Sequence, residues 1–158
     1  MIQPFVFQAS SEADTAQLGA ALAAALPAQS IIGLSGTLGS GKTRLVQAIA
    51  SACGIDVQSV VSPTYVIVHE YHAATSIFHF DLYRLADEDE YFELGPEEYF
   101  ERPGFSLLEW SDRFEHCLPP DRLDIAIAIT DEQQRCFQIT AHSETYAPTL
   151  DYLRKQFP

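Results

Sequence analysis

The chain has 158 residues, with 22 acidic residues against 9 Lys plus Arg for a formal net charge of −13; 47% of its residues are hydrophobic and 20% are charged. That balance fits one globular domain over residues 1–158 with a sizeable core, and it excludes collagen-like, low-complexity and disordered chains. The longest apolar run worth testing, Ala20 to Leu26, is seven residues, against the roughly 18 to 20 that a bilayer span needs. The N-terminal Met-Ile-Gln-Pro-Phe also lacks the basic and apolar regions of a secretory signal. A cytoplasmic protein with no membrane partner is therefore expected.

In chain order, Phe5 to Phe7 forms a short apolar strand. Ser10 or Ser11 then caps a helix with Leu18, Leu22 and Leu26 on one face, ended by Pro27. Ile31 to Leu34 is apolar throughout, as a buried strand is, and runs into the Gly-rich stretch Gly36 to Gly41. A helix follows from Lys42 to about Cys53 and is closed by Gly54. Tyr65 to Tyr71 and Ser76 to Asp81 are strand-like, separated by a turn at His72 to Thr75. Asp87 to Phe100 gives two short helices joined at Gly95-Pro96, and Phe105 to Trp110 is a further buried strand after the Pro103-Gly104 turn. Leu123 to Thr130 alternates and pairs with Cys136 to Thr140 as an antiparallel hairpin. Glu144 to Phe157 is a final amphipathic helix whose start is limited by Pro148. The class is α/β, a mixed sheet with parallel core strands and an added antiparallel hairpin, with helices on both faces.

Cys53, Cys117 and Cys136 are widely spaced and make no zinc or C-x-x-C pattern, so all three read as reduced thiols, Cys53 as a buried inert one. The acid excess repels phosphate backbones over about a Debye length. The protein alone is expected to bind no nucleic acid stably, and any anion it takes must be held by a strong local device.

Gly36-Thr37-Leu38-Gly39-Ser40-Gly41-Lys42-Thr43 is that device. It matches G-x-x-x-x-G-K-S/T at every specified position, between a strand and a helix as the motif requires. Glycines let successive backbone N–H groups turn inward as an anion nest at a helix N-terminus, made by Leu38, Gly39, Ser40, Gly41, Lys42 and Thr43. Lys42 reaches the β- and γ-phosphates and the Thr43 hydroxyl is placed for Mg²⁺. ATP or ADP with Mg²⁺ is the expected ligand. A second Mg²⁺ ligand should lie at the end of a buried strand, and both Ile77 to Asp81 and Phe105 to Glu109 run apolar into an acid. Periodicity does not rank them. Trp110, one residue past Glu109, should point to the opposite face if the strand continues, which suits a packing role as well as one in closing the nucleotide site or meeting a partner. His79 reads as a satisfied buried histidine ahead of a catalytic one, and Arg135 as a partner in a surface salt bridge.

Several segments together resemble the bacterial TsaE (YjeE) family, small P-loop ATPases needed for threonylcarbamoyladenosine modification of tRNA. They are the Gly36 to Thr43 loop, Ser62-Pro63-Thr64-Tyr65 with Glu70-Tyr71, His79-Phe80-Asp81-Leu82-Tyr83-Arg84-Leu85, Glu93-Leu94-Gly95 with Glu98-Tyr99, and Leu108-Glu109-Trp110. Order and spacing fit over most of residues 5 to 140. The resemblance implies a P-loop NTPase fold, with Glu109 as the Mg²⁺ ligand beside Thr43 and Asp81 as the acid that supports hydrolysis. It makes Thr64 a switch-type threonine and lets Arg135 reach the nucleotide. The chain offers no arginine finger or lid beyond Arg84 and Arg135, so turnover alone should be slow, and the resemblance implies activity in a complex with TsaD and TsaB. Thr37 stands where the family usually has Asp, and Ser40 where Ala is common; neither touches a glycine, Lys42 or Thr43. Two other readings of the same loop are a small-molecule kinase, which lacks an Arg-rich lid here because Asp87 to Glu101 is acidic, and a nucleotide-dependent binding module, which would not need both acids.

Overall fold

The computed structural model describes residues 2–61 and 67–158. Seven strands form one sheet in the order β1-β7-β6-β2-β5-β4-β3. They are β1 (Phe5–Ala9), β2 (Gln29–Ser35), β3 (Val68–Tyr71), β4 (Ile77–Asp81), β5 (Gly104–Glu109), β6 (Leu123–Asp131) and β7 (Gln134–Ala141). β4, β5, β2 and β6 run parallel, while β3, β7 and β1 each pair antiparallel with a neighbour. The expected mixed sheet with a parallel core and an added hairpin is thus present. The hairpin is longer than its alternation suggested, reaching Asp131 on one side and Gln134 on the other, with a bulge between Ile129 and Asp131.

Among the described residues five α-helices pack around the sheet: α1 (Glu12–Ala25), α2 (Lys42–Ala52), α3 (Glu88–Glu93), α4 (Pro96–Phe100) and α5 (Ala147–Gln156). α1 starts at Ser11, whose hydroxyl accepts the Asp14 N–H at 3.2 Å while the Asp14 carboxylate accepts the Ser10 N–H at 2.8 Å. That reciprocal pair satisfies two donors that a helix start leaves open. α1 lies very close to α2: a Cβ added at Gly19 would come within 2.4 Å of the Ala48 methyl, so only glycine permits this approach. α5 begins at Ala147 with Pro148 in its first turn, where a missing N–H costs nothing. The Tyr146 hydroxyl accepts the Ile31 N–H at 2.9 Å, which serves a backbone donor of β2 just before pairing with β6 begins at Ile32.

Strand alternation sends side chains into two separate cores. Ile32, Leu34, Ile77, Phe105 and Leu107 face α1, α2 and α5 with Leu18, Leu22, Leu45 and Ile49. Phe78, Phe80 and Leu108 face the opposite side with Leu82, Tyr91, Phe100 and Phe114. Each such side chain, fully buried, contributes about 2 kcal/mol by area removed from water. A 3-10 segment from Ser111 to Cys117, which no periodicity announced, supplies Phe114 to the second core, where it stacks on Tyr91 at 5.6 Å between ring centroids. Helices cover both faces, but the outward positions Val6, Gln8, Ala126, Ala128 and Gln138 of the β1–β7–β6 portion are exposed. All three cysteines are free and partly buried. Cys53 is therefore not the fully buried residue expected, although desolvation raises its thiol pKa and keeps it unreactive.

Candidate functional site

The parity that separates the two cores also assembles the site. On β4, His79 and Asp81 share the α2 side with Ile77; on β5, Glu109 shares it with Phe105 and Leu107. Parallel register places Asp81 opposite Glu109, and Glu109 opposite Leu34 at the end of β2, where the Gly-rich loop departs. Two acids from distant segments thus end side by side at the mouth of that loop.

The loop has the backbone that its glycines allow. Gly39 and Gly41 take φ values of 79° and 111°, and nothing lies within 4 Å of a Cβ added at either, so conformation and not space demands glycine there. Gly41 caps α2 without a side chain, which leaves the first-turn N–H groups to face the loop's concavity. Lys42 is 5% exposed and its Nζ donates to the carbonyls of Gly36 at 2.6 Å and Thr37 at 3.1 Å. The same ammonium sits 3.8 Å from the centroid of the Trp110 ring. Burial lowers the Lys42 pKa, opposed by the nearby carboxylates of Glu109, Asp112 and Asp81.

Thr43 Oγ1 lies 3.0 and 2.9 Å from the two Glu109 carboxylate oxygens. Glu109 is itself 3% exposed, and its Oε2 is 2.5 Å from His79 Nε2. Asp81 Oδ1 accepts the Tyr83 N–H at 3.0 Å. Among the described residues no group of three or more His, Cys, Asp and Glu side chains is arranged to hold a metal by itself. A hydroxyl and one carboxylate facing a phosphate cradle nevertheless fit Mg²⁺, which keeps several waters and takes the rest of its ligands from substrate phosphates.

Trp110 departs from its sequence reading. It does not continue the strand to the opposite face, because its backbone turns left-handed (φ 63°, ψ 33°) immediately after Glu109. Among the described residues it is the one non-glycine with positive φ, a conformation that costs about 1 kcal/mol or more and persists only when the surroundings enforce it. The turn brings the indole back over Lys42 and against the Tyr83 ring, 4.9 Å between centroids. Arg135 also differs from expectation. Instead of a surface salt bridge it donates to the carbonyl of Ser40 at 3.0 Å and to those of Asp131, Glu132 and Gln134, which ties the β6–β7 hairpin to the loop. Thr64 and the surrounding Ser62 to Val66 lie outside the described residues.

These groups border a pocket of about 730 Å³. Its floor is Leu38 to Arg44 with Asp81 and Glu109, and its walls add Tyr83 and Trp110 on one side and Glu132, Gln133, Arg135 and Phe137 on the other. Ser11, Glu12 and Thr15 of the α1 N-terminus close a further side with Gln47. Sequence reasoning took Ser11 only as a cap and gave Tyr83 no role; neither shows a signal of its own, since the α1 start reaches the pocket only through its packing on α2. Arg113 was missed as well. Its guanidinium donates to the carbonyls of Leu82, Tyr83 and Leu85, and Leu82 N–H donates to Glu109 O at 3.1 Å. The segments that follow the two acids are thereby clasped together.

One loop residue stands out energetically. Ser40 is fully buried and its hydroxyl has no hydrogen-bond partner among the described residues. Removing an unpaired buried hydroxyl relieves its desolvation, so Ser40→Ala should raise stability by about 1 kcal/mol, read as an increase of roughly 2 to 4 °C in Tm for a domain of this size. A lower Tm would mean that the hydroxyl is satisfied in solution.

Fold and loop together define an α/β protein of the P-loop class. The family model described as "Threonylcarbamoyl adenosine biosynthesis protein TsaE" matches residues 9–137. The tRNA threonylcarbamoyladenosine biosynthesis protein TsaE of Rickettsia conorii is 37% identical over 150 residues, covering 92% of this chain and 85% of its own length. Its namesake in Nostoc is 36% identical over 150 residues, with 92% and 90% covered, and that of Bacillus subtilis 36% over 126 residues, with 79% and 78% covered. Among solved structures, YdiB of Bacillus subtilis superposes with a TM-score of 0.85 at 26% identity, covering 100% of this chain and 99% of its own. The chain belongs to the TsaE family of tRNA threonylcarbamoyladenosine biosynthesis proteins. No helix among the described residues is long and apolar enough to cross a membrane.

Proposed function

We propose that this protein binds MgATP in the pocket at the Gly-rich loop and hydrolyses it to ADP and phosphate, and that the cycle serves tRNA threonylcarbamoyladenosine formation in a complex with TsaD and TsaB. The observation that carries the reading is the Thr43–Glu109 contact at the mouth of the loop, with Asp81 in register beside it. A P-loop that served only to bind an anion would not need a buried carboxylate held against the threonine and a second acid next to it.

In this reading the N–H groups of Leu38 to Thr43 and the Lys42 ammonium bind the phosphates and stabilise charge that develops on the γ-phosphoryl oxygens. Nζ must first leave the Gly36 and Thr37 carbonyls, which it can exchange for phosphate oxygens. Thr43 and Glu109 would hold Mg²⁺, which when bound would neutralise charge on the phosphates. Asp81 accepts a hydrogen bond from the attacking water and orients it towards phosphorus. Arg135, bonded to the loop's own carbonyl, sets the wall along the phosphates. Around the pocket Lys42 is the cation beside the acids, while Arg44 pairs with Glu12 and Arg135 donates to backbone carbonyls, so among the described residues the isolated protein has little to stabilise the transition state beyond the loop itself. Its turnover should therefore be slow.

The test is phosphate release from ATP by the purified protein, alone and with TsaD and TsaB, with Trp110 fluorescence followed during MgATP titration. Low activity that rises at least tenfold with both partners, and a fluorescence change as Lys42 leaves the indole, are the expected results. Transfer of phosphate to a small acceptor would identify a kinase instead, and binding without turnover in any mixture a nucleotide-dependent binding module.

A further inference from the structure

We propose that His79 is a positioning residue that presets Glu109 as a magnesium ligand. The inference rests on the reading above that Thr43 and Glu109 hold Mg²⁺, and it assigns a role to a side chain that the sequence presents only as a buried histidine.

His79 is fully buried in the middle of β4, on the α2 side of the sheet. Its Nε2 lies 2.5 Å from Glu109 Oε2, whereas its Nδ1 is buried without a partner among the described residues. An imidazole with one satisfied nitrogen places its proton where the acceptor is, so Nε2–H donates to the carboxylate and Nδ1 is left as a bare acceptor. A buried ring with an idle nitrogen is costly to keep for packing alone, since an aliphatic side chain of similar volume would leave nothing unpaired.

The consequence lies in what the bond leaves open. Glu109 ends a strand and has three side-chain torsions, so without a fixed partner its carboxylate has several rotamers to lose on binding a cation. His79 engages Oε2 from the β4 side, while the Thr43 hydroxyl lies 3.0 Å from Oε1 and 2.9 Å from Oε2. The threonine thus faces both oxygens, and the His79 bond, made to Oε2 alone, fixes the carboxylate plane and leaves Oε1 free of the histidine. Outer hydrogen bonds of this kind orient a ligand before the metal arrives, and their loss typically weakens metal affinity by roughly 10- to 100-fold.

The experiment measures ADP affinity by calorimetry in a Mg²⁺ titration and again with EDTA, for the wild type, His79→Leu and His79→Gln. The ratio of the two affinities reports the metal site alone, and a merely structural histidine would shift Tm without changing it. His79→Leu should lower the Mg²⁺ enhancement by roughly 10-fold or more while the affinity in EDTA stays within about twofold. His79→Gln, whose amide nitrogen reaches the same place as Nε2, should retain most of the enhancement. A wild-type enhancement in His79→Leu, or an equal loss with and without Mg²⁺, would overturn the proposal. Should His79→Leu fail to fold, ¹⁵N NMR of the wild-type ring decides: a protonated Nε2 and bare Nδ1 are expected, and the opposite tautomer overturns the assignment. A wild type that binds ADP with no Mg²⁺ enhancement would instead remove the magnesium reading itself, and this inference with it.

Discussion

Lys42→Ala should abolish measurable ATP and ADP binding. The ammonium is held within the loop by two carbonyls and an indole face, none of which matches its charge, so phosphate oxygens are better partners than those it has. Charge-assisted hydrogen bonds contribute about 1.5 to 3 kcal/mol each, and losing two of them weakens binding by roughly 10²- to 10⁴-fold. The fold should tolerate the change. Burial already lowers the Lys42 pKa, which means that the charged form is disfavoured there and its removal relieves a desolvation cost. Calorimetry with both nucleotides, together with a thermal melt, checks this. Equal affinity in wild type and variant would sink the assignment of the loop as a phosphate site.

The two acids should separate by role. Glu109→Gln keeps the side chain's length but removes the charge that the Thr43 hydroxyl faces, so the Mg²⁺ dependence of nucleotide affinity should fall by roughly 10- to 100-fold. Asp81→Asn should leave ADP affinity within about threefold while ATP hydrolysis in the presence of TsaD and TsaB falls by roughly 10²-fold or more. Binding is carried by the loop, and only the transition state requires the acid. Their positions motivate the division: Glu109 is on the strand next to β2 and touches Thr43, whereas Asp81 is one strand further out and bonds its own loop through Tyr83 N–H. The reverse pattern would exchange the two roles while leaving ATP hydrolysis in place.

Much of this was legible in the sequence because it is local. The Gly-rich loop shows in one stretch of chain, since residues that must take positive φ, a lysine and a hydroxyl have to follow one another between a strand and a helix. Apolar runs marked β2, β4 and β5 for the same reason that they are buried on both faces, and alternation marked the β6–β7 hairpin. Two acids could be named as strand ends, but nothing local ranked them. Their order follows from the parallel register that sets Asp81 against Glu109 and Glu109 against Leu34, a pairing between segments far apart in the chain.

Tertiary structure alone decided the remainder. Strand alternation sends Trp110 away from Glu109, and the left-handed turn at that residue reverses the result; a backbone strain enforced by Tyr83, Lys42 and the clasp of Arg113 has no signature in residue order. The same holds for His79 on Glu109 and for Arg135 on the Ser40 carbonyl. Each joins elements whose separation is set by sheet order and helix packing. Residue type and spacing along the chain therefore determined that this protein carries a Gly-rich loop ending in Lys42 and Thr43 between a strand and a helix, while long-range packing determined which side chains meet it.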